Sequence, residues 1–330
     1  LSFKIEESDL LDAKEPWRMR YCALQNVSLN LPRLAYMAKN DDTKLFNLIT
    51  ERFILAVKAH KEKRAFMEKL LSLGENGPLA LLTMNRDGMP YLRFNLASHL
   101  IGMVGLNEMV QIHTGEEMHE SRRALKFGIK AIAHMNLLTE KMRRQENMKI
   151  VLEQTPAEST SYRFARLDLR YFSPHAGRIM KGDIASGEVY YTNSTHLNVK
   201  HAMNPIERVT TEGLFHPLIE AGSISHVWLG EAQPSKEAIA DFVIKTFKHT
   251  TNDQIAFSPE FTTCNKCHRT GRGLADTCSY CGSTDVDGIT RITGYFTKVS
   301  SWNKGKLGEL KDRYRNSEFF SERRKAAAND

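Results

Sequence analysis

Cysteine is scarce in this chain of 330 residues: there are five, and four of them fall between Cys264 and Cys281. No run of eighteen apolar residues is present, which argues against a membrane-spanning helix. No basic-then-apolar leader opens the chain, so secretion is not indicated and a cytoplasmic protein is expected. Residue 1 is Leu rather than Met, and "LSFKIEESDLLDAKEPW" reads like the middle of something, a processed or partial product. There is no internal repeat and no low-complexity tract. The formal net charge of +7 suits nucleic acid or free nucleotides, yet the basic residues are spread along the chain, and only "ERRKAAAND" at the end resembles a solvated tail. The histidines show no metal-ligand spacing and read as structural or surface residues.

What is present is a core-forming composition, 41% hydrophobic and 26% charged, enough for one large domain or two ordinary ones. "ALQNVSLNLPRLAY" alternates Leu24, Val27, Leu29 and Leu31 with polar residues and predicts a strand ended by Pro32. Helical spacing follows, with Asp41 or Asp42 as N-cap and Gly74 as stop. "PLALLTM" predicts a buried strand, "SHLIGMVGLNEMVQIHTG" a helix and "SRRALKFGIKAIAHMNLLTEKMRRQ" another. "MKIVLEQTP", "GEVYYTNSTHL" and "SISHVWLGE" read as strands, "ESTSYRFARLDLRYF" and the segment from Ser235 as helices. Strands alternating with helices indicate an α/β protein. The character changes near Asn252, where the chain turns Gly- and Cys-rich.

Cys264 and Cys267 form one Cys-x-x-Cys pair, and Cys278 and Cys281 a second, ten residues apart. Two tight turns on facing hairpins would aim four thiolates at one centre, a tetrahedron that suits Zn²⁺ and folds a small ribbon with no core of its own. Redox pairs and an iron–sulfur centre are the alternatives for this spacing. His268 lies beside Cys267 and is read as outside the shell. Cys22 is the remaining thiol; by itself it reads as an inert core cysteine. Gly294, within "TRITGYF", by itself reads as a strand glycine at a bulge or a close approach.

Together these stretches resemble the anaerobic (class III) ribonucleotide reductases, which are glycyl radical enzymes. Arg291-Ile292-Thr293-Gly294-Tyr295 behind a four-cysteine ribbon, followed by "VSSWNKGKLGELKDRYR", is similar to that family's radical motif. "NVSLNLPRLAY", "LEQTPAESTSYRFARLD", "YYTNSTHL" and "NDQIAFSPEFTTCNKC" are similar to other segments of it. The resemblance covers residues 16–316 and the C-terminal half of such an enzyme; the ATP-cone domain and the first barrel strands have no counterpart here.

That resemblance implies an α/β fold contributing the C-terminal half of a ten-stranded barrel over residues 1–251, a zinc ribbon over 252–287, and a radical loop and tail over 288–330. It implies reduction of ribonucleoside triphosphates, with Gly294 storing a radical and Cys22 becoming the thiyl that takes the 3′ hydrogen. Many family members have an insertion between this cysteine and the "NLPR" strand that is missing here. Asn30, Glu158, Ser159, Thr160, Thr192, Asn193, Ser194 and Thr195 are the expected substrate contacts. Implied partners are a radical-SAM activating enzyme with an iron–sulfur cluster, a second copy in a homodimer, and the missing N-terminal half. The reductant would be formate or a protein dithiol. Two rival readings are a glycyl radical lyase, which generally lacks the ribbon, and a zinc-ribbon nucleic-acid module. The balanced charge of Lys266, Arg269 and Arg272 against Asp276, Asp285 and Asp287 speaks against the second.

Overall fold

The computed structural model describes residues 4, 10–86 and 88–316. Parallel strands form its centre. β1 (Ala23–Asn30), β2 (Ser98–Val104) and β3 (Ile150–Gln154) pair in that order, with Leu29 opposite Met103 and Met103 opposite Gln154. A parallel bridge from Glu153 to Ala221 leads towards a second parallel pair, named below.

Helices cover one face of this sheet. α1 (Leu31–Ala38) follows β1 without a break, because Pro32 sits in its first turn, where a missing N–H costs nothing, and Asn30 caps it. Pro32 therefore starts a helix here as well as ending the strand. α2 (Asp42–Leu71) is capped by Asp41, stops three residues before Gly74, and buries Leu45, Ile49 and Phe53. The stretch expected to be one helix from Ser98 divides at Gly105, which has φ +77 and Pro32 against its α-carbon: β2 precedes it and α3 (Leu106–Thr114) follows. A fully buried parallel strand is apolar on both faces, so its sequence lacks alternation. α4 (Arg122–Glu146) begins at the Ser121 cap and completes the apolar layer over Ile101, Met103, Ile150 and Leu152. "PLALLTM" is not a buried strand; it holds a single helical turn with Leu81 76% exposed.

The opposite face of the strands is polar. Asn26, Ser28 and Thr155 meet there above Gly102, where any side chain would collide with Thr155 Oγ1. Glu153, bonded by the Thr155 hydroxyl, belongs to the same group.

α5 (Thr160–Phe172) and the hairpin of β4 (Lys181–Asp183) and β5 (Glu188–Tyr190) come next, then α6 (Pro205–Gly213). The second parallel pair is β6 (Ser225–Gly230) with β7 (Ile255–Pro259), joined by α7 (Lys236–His249), which Ser235 caps as expected. Since β7 pairs with β6, parallel pairing continues past Asn252, and the antiparallel ribbon sheet begins at Phe261. Its antiparallel sheet has the order β9 (Thr270–Arg272), β8 (Phe261–Cys264), β10 (Val286–Arg291), β11 (Phe296–Lys298). β10 runs from the ribbon directly into the Gly294 turn, so the two share one sheet. α8 (Lys304–Asp312), capped by Asn303, packs against β5. The "ERRKAAAND" tail lies outside the described residues.

Candidate functional site

The two Cys-x-x-Cys turns come together as their spacing predicts. The four Sγ atoms lie within 4.8 Å of one another, with Cys264–Cys281 at 3.7 Å and Cys267–Cys278 at 3.6 Å. A tetrahedron with Zn–S bonds of about 2.3 Å has sulfurs about 3.8 Å apart, so this set fits zinc. The Tyr280 amide, 3.4 Å from Cys278 Sγ, helps bring that thiol down to about 7, and the Cys267 amide lowers Cys264. Those two shifts favour the thiolates a metal needs, while, against the Ser283 backbone bond, burial and the neighbouring sulfurs push Cys281 up to about 11. His268 is not in the cluster.

Gly294 lies in the turn between β10 and β11, closed by Ile292 N–H to Tyr295 O at 2.9 Å. Cations hold four successive carbonyls of this turn. Arg313 donates to Arg291 O (2.9 Å) and Ile292 O (2.7 Å); Arg291 donates to Thr293 O (3.3 Å) and Gly294 O (2.8 Å). The Gly294 N–H donates to Glu158 Oε1 at 3.1 Å. Beneath the turn, α8 supplies Lys306, fully buried, whose Nζ donates to Thr293 Oγ1 at 2.9 Å and to Glu309. Glu309 also accepts from Arg313 (2.8 Å) and from Asn193 (2.9 Å). Burial works against the Glu309 charge, but Lys306 and Arg313 overrule it and hold this carboxyl below its ordinary range.

Gly294 does not need to be glycine for steric reasons. Its φ is not positive, and a Cβ there would meet only Glu158 Oε1 at 3.4 Å and Pro156 Cβ at 3.9 Å, ordinary contacts. It borders a cleft of about 770 Å³ with Thr155, Pro156, His196 and Arg291.

Asn193 is buried, with its carbonyl oxygen on Ala157 N–H at 2.9 Å and its amide on Glu309. Ser194 bonds Met103 Sδ, Thr195 accepts from Gln154 at 2.9 Å, and Thr192 donates to Glu108. Asn30 caps α1 and bonds Asp168 at 2.9 Å. Ser159 is exposed and Thr160 opens α5. None of these residues, nor Glu158, is among those lining the Gly294 cleft; His196, one residue past the "TNST" run, is.

Cys22 is exposed, immediately before β1, with its carbonyl accepting Ser98 N–H at 2.8 Å. The protein around its sulfur still pushes the thiol up. Gly294 sits beside Pro156, beyond the other end of the strands. At about 3.3 Å per residue, the eight residues of β1 separate the two edges by roughly 26 Å. Cys22 and Gly294 are therefore not brought together within the described residues.

The sequence reading missed Glu153. It is buried on the polar face, and burial pushes its carboxyl up to about 7 against the Thr155 hydrogen bond. A group in that range can hold or release a proton near neutrality. An acid placed inside an apolar strand was the available signal.

The description anaerobic ribonucleoside-triphosphate reductase belongs to the family model that matches residues 5–315. Proteins of that name from Escherichia coli K12 and Enterobacteria phage T4 are 28% and 25% identical to this chain, each over 87% of it. The matches cover 41% and 47% of those two proteins, so the chain spans less than half the length of these relatives. The crystal structure of the anaerobic ribonucleotide reductase from Thermotoga maritima with MES in the active site superposes with a TM-score of 0.71 at 21% identity. That match covers 86% of this chain and 45% of the other, and it shows the fold. With the family model spanning nearly all of its residues, the chain belongs to the anaerobic ribonucleoside-triphosphate reductase family.

Proposed function

We propose that this chain is the radical-bearing part of an enzyme that reduces ribonucleoside triphosphates to 2′-deoxyribonucleoside triphosphates, with Gly294 storing the radical. The observation that carries this reading is a glycine kept where neither backbone angle nor space calls for one, in a turn clamped by Arg291, Arg313, Lys306 and Glu158. An α-carbon radical needs a flat backbone with no side chain, and a clamped turn keeps the geometry constant between turnovers.

The overall reaction balances. A thiyl removes the 3′ hydrogen atom and later returns it. The C2′ hydroxyl leaves as water after taking one proton, and C2′ gains a hydrogen. Two electrons come from formate, oxidised to CO₂, or from a protein dithiol, oxidised to a disulfide. Glu153, titrating near 7, is the group on the polar face suited to moving that proton. Cys22 is the thiol assigned to the hydrogen-atom step. Direct exchange needs its sulfur within a few ångströms of the Gly294 α-carbon, so the assignment requires Cys22 to move from the far end of β1. The ribbon would hold zinc as a structural ion, because four thiolates leave no open position.

The test uses the complete enzyme, activated anaerobically by a radical-SAM activating enzyme. A doublet-type radical signal, split by the one remaining α-hydrogen, is expected. Air should destroy it and cut the chain at Gly294, releasing a piece of roughly 4 kDa at about 110 Da per residue. Cleavage at another glycine, such as Gly288 or Gly305, would overturn the Gly294 assignment; the absence of any radical in an enzyme that still reduces nucleotides would overturn the chemistry. Turnover retained by Cys22→Ser would remove Cys22 from the pathway.

A further inference from the structure

The groups bonded to Gly294 are of opposite charge and act on opposite sides of its α-carbon. The carboxylate of Glu158 accepts the N–H of the preceding peptide at 3.1 Å. The guanidinium of Arg291 donates to the carbonyl of the following peptide at 2.8 Å. An unpaired electron on an α-carbon is delocalised by an electron-donating nitrogen on one side and an electron-withdrawing carbonyl on the other. A carboxylate on the N–H makes the nitrogen a better donor; a cation on the oxygen makes the carbonyl a better acceptor. Charge-assisted hydrogen bonds are roughly twice as strong as neutral ones, so both effects exceed what water would supply.

We propose that Glu158 and Arg291 form a push–pull pair that stabilises the radical on Gly294, beyond fixing the turn in place. The inference rests on the reading of Gly294 as the radical site and deepens it. It gives Glu158, expected from the sequence to meet substrate, a different role. Two further features support it. Arg291 already lies in β10, its guanidinium over the Phe296 ring at 5.4 Å, so its direction is set before any radical forms. Glu158 is tied from behind as well: its backbone carbonyl accepts from Asn303 Nδ2 at 3.0 Å, and Asn303 caps the helix that carries Lys306 and Glu309. The arrangement is thus preorganised, which is what makes electrostatic stabilisation effective.

The experiment compares wild type, Glu158→Gln, Arg291→Lys and Gly294→Ala in the complete enzyme, activated under one set of anaerobic conditions. Two quantities are read: radicals per polypeptide, and the α-hydrogen splitting of the signal. Glu158→Gln keeps an oxygen to accept the N–H but loses its charge. It should lower radical occupancy by about fivefold, the ratio expected when a charged acceptor becomes a neutral one. The splitting should change, because spin density moves off or onto the α-carbon. Arg291→Lys keeps the charge but loses the fork, and should fall between wild type and Glu158→Gln. Amide exchange at Gly294, measured before activation, checks that the turn is intact in each variant. With the turn intact, occupancy and splitting equal to wild type in both variants would overturn the push–pull proposal and leave the radical assignment standing. A wild-type radical that persists in Gly294→Ala would overturn the assignment itself, and the proposal with it.

Discussion

Gly294 differs from the glycines around it. Gly305 is required by packing, since a Cβ there would lie 2.7 Å from both Val189 O and Tyr162 Cβ. Gly273 and Gly282 are required by conformation, with φ near +80 and +70. At Gly294 neither reason holds, so Gly294→Ala should fold with a stability change under about 1 kcal/mol, whereas Gly305→Ala should cost more because backbone must move. Urea denaturation of both variants checks this; a large loss for Gly294→Ala would mean that structure alone explains the glycine. Glu153 gives a second prediction. Its folded pKa, about 7, lies above the ordinary 4.5, so the folded state binds the proton more tightly than the unfolded chain does. Its contribution to stability is full below pH 4.5 and is lost as pH rises through about 7, at most about 3 kcal/mol. Glu153→Gln should therefore gain stability relative to wild type between pH 5 and 8, and equal profiles would contradict the burial argument. The closeness of the Gly294 turn to the ribbon was legible in the sequence because the two are near neighbours along the chain. Glu153 was not, because the burial that raises its pKa depends on Ala221 and Gly222 crossing over β3, contacts nearly seventy residues away.

At the scale of elements, the amphipathic helices were the most legible part. Ser235, Asp41 and Ser121 cap where expected or at the start of a strongly periodic stretch, since capping is local chemistry. Two-sided burial hid β2 inside an apparent helix, and only Gly105 marked the junction. β7, just past Asn252, is short and joins its neighbour across α7, a pairing that local composition does not report. The ribbon sheet has one consequence for the site. β10 links the cysteine turns to the Gly294 turn, so metal should stabilise both. Zinc removal by a chelator, or Cys278→Ser, should raise amide exchange from Phe261 through Lys298 while leaving β1–β3 protected. Independent behaviour of the Gly294 amide would show that α8, rather than the ribbon, holds the turn. Lys306→Met addresses that alternative. It removes the bond to Thr293 Oγ1 but leaves Glu309 paired with Arg313 and Asn193, so a folded variant with a loosened Gly294 amide is expected.

At the scale of the molecule, the described residues hold five parallel strands in two sheets, β1–β2–β3 and β6–β7, with one bridge from Glu153 to Ala221 between them, and every strand but β2 pairs on one side only. Parallel strands of this kind are normally buried on both faces, yet the inner face here carries Asn26, Ser28, Thr155 and Glu153. A polar face on open-edged parallel strands supports, as a proposal, the half-barrel around a reaction chamber that the family resemblance implies. The match covers 41% of the Escherichia coli relative, so that protein is more than twice as long as the matched region. On that proposal, supplying the portion of a relative outside the match as a separate chain should pair open strand edges and bury backbone that is now open. Binding to the folded state alone raises stability by mass action, so the melting temperature should climb with the concentration of the added portion. On the proposed reading, radical formation at Gly294 should appear only in the mixture. A melting temperature independent of the added portion, together with full activation of this chain alone, would contradict the half-barrel reading while leaving the chemistry of the Gly294 turn untouched.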